Sequence, residues 1–299
     1  MNKEKIDILK KEKNTVILAH YYVDESIQKI ADYVGDSFYL AQVATKLEEK
    51  NIIVAGVYFM GESVKILNPE KNIYLVNPKA DCPMAHMVNI NTIEEMRNKY
   101  NDLAVVCYIN STAEIKSHSD ICVTSANAVK IVRKLPEKNI FFIPDGNLAK
   151  YIEKLVPEKN IIANNGFCPI HNRVSARAVN NLKMKYKDAK VLAHPECKKE
   201  VLDIADYIGS TSGIIKKVGT CNLNEFIIVT EIGIKYELLK NYPNKRFYFL
   251  DSMICEDMKL LELKDLLKTM EKGGNEVFVS EEVIEKAKKP LKRMLKLGE

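Results

Sequence analysis

VILAHYYVDESIQKIADYVGDS, residues Val16 to Ser37, is written a second time as VLAHPECKKEVLDIADYIGST, residues Val191 to Thr211. At a constant offset of 174 positions His20 falls on His194, Tyr22 on Glu196, Asp32 on Asp206, Gly35 on Gly209 and Ser37 on Thr211. Between the two lies a more diverged copy, VCYINSTAEIKSHSDICVTS, Val106 to Ser125. A shift of 88 places His20 on Tyr108, Tyr22 on Asn110, Asp32 on Asp120 and Ser37 on Ser125. Self-similarity at a fixed period means one structural unit used several times. Three tandem units of about 87 residues are therefore expected: 1–101 with an N-terminal helix, 102–187, and 188–299 with a tail helix.

Each copy opens on an apolar run of strand length: Thr15 to Ala19, Leu103 to Ile109, and Lys190 to Ala193. In the first copy Ile27, Ile30, Ala31 and Val34 follow at helical spacing, matched by Val201, Ile204, Ala205 and Ile208 in the third, with a weaker helix over Thr112 to Ser119 in the second. Further strands are expected at Ile52 to Phe59, Ile73 to Val76, Ile140 to Ile143, Ile161 to Ala163, Phe226 to Val229 and Phe247 to Leu250. Helices are expected over residues 2–13, Phe38 to Glu49, Gly61 to Leu67, Ala126 to Leu135, Leu148 to Leu155, Ala176 to Tyr186 and Ile234 to Lys240. Ser280 should cap a last helix that Pro290 kinks. Strand and helix alternate throughout, which implies an α/β fold of parallel sheets covered by helices on both faces.

With 299 residues, 46% of them apolar, the chain can bury a full core. Its net charge is +5, but only six of the 45 basic residues are Arg and the Lys are spread along the chain. That is a solvated surface, without the clustered bases of a nucleic-acid reader. The N-terminus MNKEKIDILKKEKN is charged throughout, and the longest apolar run, near Ile52 to Met60, is too short to span a bilayer. The expectation is a cytoplasmic protein with no signal peptide and no membrane partner. Seven cysteines, an odd number, argue for thiols or metal ligands over disulfides.

Three of those cysteines follow the repeat. Cys82, Cys168 and Cys255 are 86 and 87 residues apart, each just after the last strand of its unit. Three equivalent loops converge if the units surround a pseudo-three-fold axis. Thiolates favour zinc or an iron–sulfur cluster, and the close spacings of a structural zinc site are absent. A [4Fe–4S] cluster normally takes four Cys; with three, one iron stays open as a Lewis acid. Three half-buried structural cysteines are the alternative. Cys107 and Cys122 lie in apolar strand contexts and read as small buried hydrophobes, while Cys197 and Cys221 have no counterparts.

A second matched set sits where each first strand ends: His20-x-Tyr22, Tyr108-x-Asn110 and His194-x-Glu196. Residues two apart on an extended segment point the same way, and the carboxyl ends of parallel strands are where such folds bind ligands. The third set is Ser37, Ser125 and Thr211, each opening a helical segment. These hydroxyls are either N-caps or part of an anion site built from helix N-termini. No Gly-rich nucleotide signature is present.

These residues together resemble quinolinate synthase, the A protein of de novo NAD biosynthesis. The resemblance runs through A-H-x-Y at Ala19 to Tyr22, G-D-S at Gly35 to Ser37, Y-x-N-S at Tyr108 to Ser111 and T-S-A-N at Thr124 to Asn127. It continues in G-x-C-x-x-H at Gly166 to His171, H-P-E-C at His194 to Cys197, G-S-T at Gly209 to Thr211 and T-E at Thr230-Glu231. It implies three Rossmann-like αβα repeats with short parallel sheets about a pseudo-three-fold axis, and a [4Fe–4S] cluster on Cys82, Cys168 and Cys255. It also implies a transferase-type condensation of iminosuccinate with dihydroxyacetone phosphate, releasing phosphate and water to give quinolinate. By the same resemblance His20, Ser37, Tyr108, Ile109, Asn110, Ser125, His194, Pro195, Glu196 and Thr211 would bind iminosuccinate. Tyr22 and Glu196 would be the principal acid–base pair, with His20, His194 and Tyr108 beside them. A transient contact with the upstream aspartate-oxidising enzyme is a further implication. Val23 and Gly146 depart from the family pattern, where Gln and a charged residue are expected, and both lie outside the three matched sets. The competing reading is an aconitase-type hydro-lyase, which would share an open cluster but dehydrate a single hydroxy acid.

Overall fold

Each copy of the repeat folds as a four-stranded, fully parallel sheet. In the computed structural model, which describes residues 3–298, the first unit contains β1 (Thr15–His20), β2 (Tyr33–Gly35), β3 (Asn51–Ala55) and β4 (Asn72–Leu75). The second has β5 (Leu103–Tyr108), β6 (Ile121–Val123), β7 (Asn139–Ile143) and β8 (Asn160–Ala163). The third has β9 (Lys190–Ala193), β10 (Tyr207–Ile208), β11 (Glu225–Val229) and β12 (Arg246–Phe249). The strand orders are β2-β1-β3-β4, β6-β5-β7-β8 and β10-β9-β11-β12, one Rossmann-like topology three times over.

The central strands read as unbroken apolar runs because both faces are covered. In the third unit Val191, Ala193, Ile227 and Val229 bury into one layer and Leu192, Phe226 and Ile228 into the other, as the two-residue period of a strand requires. The first and second units share one continuous core. The last helix, Glu281–Gly298, passes through Pro290 without a break and carries an Ser280 N-cap. It lies against the second unit's Ala113–Ser117, β6 and Ala128–Lys134, and against Tyr58–Leu67 of the first. Among the described residues no helix is long and apolar enough to cross a membrane.

The structure corrects the pattern reading in one consistent way. The helices expected through Val34 and Ile208 end early, at Glu25–Gln28 and Lys199–Leu202, and the chain turns into the edge strands β2 and β10; β6 arises the same way after Ala113–Ser117. Two to three residues are too few to show a strand period. What holds these edges is the matched aspartate. Asp32 accepts from Ile17 N–H at 2.8 Å, Asp120 from Val105 at 2.7 Å and Asp206 from Val191 at 2.9 Å. Each carboxylate also meets a cation: Lys10, Arg97 or Lys190. Elsewhere, the strand expected to Phe59 stops at Ala55, because Val57 is already the N-cap of Tyr58–Leu67. The helix expected over 38–49 is Ser37–Ala44. Helices Ile90–Lys99 and Leu263–Lys272, after the first and third cysteine loops, were not anticipated. The N-terminal helix is described from Lys3; residue 2 lies outside the described residues.

Replacing Asp32 by Ala should cost about 2 kcal/mol, since it strands the Ile17 N–H in the core and unpairs the nearly buried Lys10. Asp32→Asn, which keeps an acceptor, should lose less. Chemical denaturation of the two variants measures the difference, and equal losses would refute the role of the acceptor.

Candidate active site

The carboxyl ends of the three sheets open into one cavity of about 930 Å³ including its mouth, within the range of small-molecule sites. It is lined by His20, Tyr22 and Ser37 of the first unit, Tyr108, Ile109, Asn110 and Ser125 of the second, and His194, Glu196 and Thr211 of the third. Cys82, Cys168 and Cys255 lie on the same wall. Of the residues expected here only Pro195, buried between His194 and Glu196, contributes nothing to the lining. His171, the acidic Asp36, Glu231, Glu256 and Asp257, and the apolar Phe59, Met60, Ile170 and Met258 also line it.

The geometry refines how the pairs are presented. Tyr22, Asn110 and Glu196 stand in turns just beyond the strands, so an extended backbone does not aim them. Instead Tyr22 N–H donates to His20 Nδ1 at 3.2 Å and Glu196 N–H to His194 Nδ1 at 3.4 Å, the same fold-back in the first and third units. A ring nitrogen that accepts a backbone N–H belongs to a neutral imidazole with its proton on Nε2. Burial agrees: it lowers His20 to about 4 and His194 to about 3, with Glu196 opposing in both cases.

Glu196 is the charged centre. It is 4% exposed; its Oε1 accepts from the Tyr108 hydroxyl at 2.6 Å and its Oε2 lies 2.7 Å from His171 Nδ1. Asn147 of the second unit holds its backbone carbonyl at 3.1 Å. Burial alone would raise its pKa, but His194, His171 and the Tyr108 hydroxyl together keep the carboxyl below the ordinary range. Burial, and then the Glu196 charge, push Tyr22 and Tyr108 well above the usual phenol value, so both stay protonated. The Tyr22 hydroxyl sits 2.8 Å from both Thr211 Oγ1 and Thr230 Oγ1.

Ser37 and Thr211 are the first residues of helices Ser37–Ala44 and Thr211–Thr220, but the caps are their predecessors, Asp36 and Ser210. The hydroxyl of Ser37 is thereby left to the cavity, and that of Thr211 pairs there with the Tyr22 hydroxyl. Ser125 bonds His194 Nε2 at 3.2 Å across the boundary between the second and third units.

Each of the three matched cysteines is the N-cap residue of a short helical turn, with φ/ψ of −88°/114° at Cys82, −75°/117° at Cys168 and −91°/106° at Cys255. One backbone geometry thus presents all three sulfurs, and all three are free thiols. Burial raises each pKa, Cys255 to about 11, so alone they would stay protonated in this cavity. A cationic metal group would reverse that, and three matched soft donors in one cavity fit an iron–sulfur cluster. Cys168 Sγ, His171 and Glu196 also bring their donor atoms within 4.8 Å of one another. Cys107 and Cys122 are fully buried on neighbouring strands and do not line this cavity; Cys197 is likewise buried.

His171 and Glu231 lie inside the family motifs but belong to none of the three matched sets. No repeat partner marks His171. For Glu231 a signal exists: the offset that aligns the first strands also aligns Val57, Asp145 and Glu231, two residues past β3, β7 and β11.

Three parallel-sheet units that send imidazoles, phenols, the buried Glu196 carboxyl and three thiols into a shared cavity define an α/β enzyme with a composite active site. The family profile described as Quinolinate synthetase A protein matches residues 4–296, and the chain belongs to that family. The quinolinate synthase of Fusobacterium nucleatum is 61% identical over 296 residues, 99% of each chain. That of Clostridioides difficile is 49% identical, covering 97% of this chain and 96% of its own, and that of Caldicellulosiruptor bescii 46%, covering 99% and 98%.

Proposed function

We propose that the chain condenses iminosuccinate with dihydroxyacetone phosphate to quinolinate, releasing phosphate and water, with a [4Fe–4S] cluster held by Cys82, Cys168 and Cys255. The observation that carries this reading is the buried Glu196 carboxyl and the Tyr22 hydroxyl in one cavity with the three matched thiols. When bound, the cluster supplies one iron open to a substrate hydroxyl or carboxylate as a Lewis acid. All seven cysteines are free, in keeping with a reducing cytoplasm.

The chain's own groups divide the remaining work. Iminosuccinate carries two carboxylates, and the helix starts at Ser37 and Thr211, with the Ser125 hydroxyl, offer N–H and O–H donors to them. Neutral His20 and His194 add N–H donors without repelling or trapping a proton. After phosphate departs, the enamine carbon of iminosuccinate attacks the triose. Glu196 then removes protons during isomerisation, while Tyr108 and His171 stabilise its charge. Tyr22 donates to the oxygen that leaves as water during ring closure. Two groups in opposite protonation states at one pH are what general acid–base catalysis needs. The apolar floor of Phe59, Met60 and Met258 keeps bulk water from the imine.

An anaerobic assay of iron- and sulfide-loaded protein with both substrates tests the reading: quinolinate should accumulate. Tyr22→Phe should lower kcat about a hundredfold and leave the melting temperature near wild type. A wild-type rate in that variant would remove Tyr22 from its role. Dehydration of a lone hydroxy acid, with no need for the triose, would favour the hydro-lyase.

A further inference from the structure

We propose that Glu231 and Lys259 are a positioning pair that locks the Tyr22 turn of the first unit to the Cys255 loop of the third. Its effect on rate rests on the condensation proposed above; the lock itself rests on hydrogen bonds.

Glu231 is 1% exposed and stands two residues past β11. Its Oε2 accepts from Gly233 N–H at 2.6 Å, and its Oε1 accepts both Cys255 N–H at 3.2 Å and Lys259 Nζ at 3.1 Å. Lys259 ends the short helix Glu256–Lys259 that Cys255 opens, and its Nζ also donates to the Tyr22 carbonyl at 2.8 Å. One ammonium and one carboxylate therefore connect the backbone beside a cluster thiol to the backbone of the proposed acid.

The seam around this link is tight. A Cβ on Gly233 would come within 2.6 Å of Tyr22 backbone atoms, so the two turns approach as closely as glycine permits. Gln28 Nε2 donates to Tyr21 O, Val23 O and Gly233 O, tying the same two turns from the other side. Thr211 and Thr230 then hold the Tyr22 hydroxyl. Both ends of Tyr22 are set by the third unit, and among the described residues Lys259 is the link from its backbone to the cysteine loop. Charge-assisted bonds of this kind are the stronger class, and a buried carboxylate deprived of its cation repacks or draws in water.

Lys259→Met keeps the aliphatic stem and removes the ammonium. It should lower kcat for quinolinate about ten- to a hundredfold with each KM within about threefold of wild type, the pattern of lost transition-state positioning. Amide hydrogen exchange should quicken about tenfold over residues 20–24 and 253–257 and stay unchanged around Cys168. Lys259→Arg should restore both. In a Tyr22→Phe background, Lys259→Met should add less than about a twofold loss, because a residue acting through Tyr22 is coupled to it. Unchanged exchange over residues 20–24, or losses that multiply in the double variant, would overturn the lock. If wild type makes no quinolinate, the condensation fails, and the exchange measurement still decides the lock.

Discussion

Glu196→Gln is expected to lower kcat about a thousandfold while leaving the melting temperature at or above wild type. The rate effect follows from the proposed role: a positioned general base contributes about 10²–10⁴, and an amide cannot accept the proton. The stability effect follows from burial. Glu196 keeps its charge at 4% exposure because His194, His171 and the Tyr108 hydroxyl surround it, the last two bonding its oxygens. An isosteric neutral group removes the desolvation cost of that charge. Gln still accepts from Tyr108, and His171 can accept at Nδ1 from the new amide once its proton moves to Nε2, facing Thr230 Oγ1 3.0 Å away. Fold and activity should thus move in opposite directions, as at sites that keep a charge for function. Steady-state kinetics and a thermal melt on one preparation decide it, and a rate within tenfold of wild type would remove Glu196 from the base role.

Cys168→Ala is expected to abolish quinolinate formation and to reduce bound iron and sulfide, after anaerobic loading, to the level of an unloaded control. Two thiols would not replace three at the proposed cluster, whose fourth iron would already lack a cysteine, and metal affinity depends on deprotonated soft donors. The side chain is small and half-buried, so the apo fold should persist. Cys107→Ser and Cys122→Ser are the controls: both sulfurs are fully buried away from the cavity, and these variants should keep their iron. Iron retained by Cys168→Ala in an active protein would refute the ligand set.

Much of this architecture is legible in the sequence, because the repeat does three jobs at once. The offset that pairs His20 with His194 also finds the central strands and the hydroxyls at the helix starts, the three cysteines recur one or two residues out of step with it, and all but Pro195 of the expected site residues reach one cavity. What stayed hidden was whatever the repeat does not copy or what pattern cannot register. The edge strands β2, β6 and β10 are too short for a period, and an aspartate side chain holds each one. His171 has no counterpart in the other units. Ser37 and Thr211 could not be separated from caps by sequence; the preceding Asp36 and Ser210 turn out to do the capping. Lys259 looks like any surface lysine until the third unit's loop is seen against Tyr22.

The last helix has a consequence for how the chain is made. Ala287, Leu291 and Met294 cover an apolar face of the second unit, whose strands are complete by Ala163. A ribosome adds roughly 5–20 residues per second, so that face stays bare for some seconds to tens of seconds while the whole third unit is synthesised. That face is therefore one a chaperone would meet on the nascent protein, and the eighteen-residue helix is the step that ends its exposure.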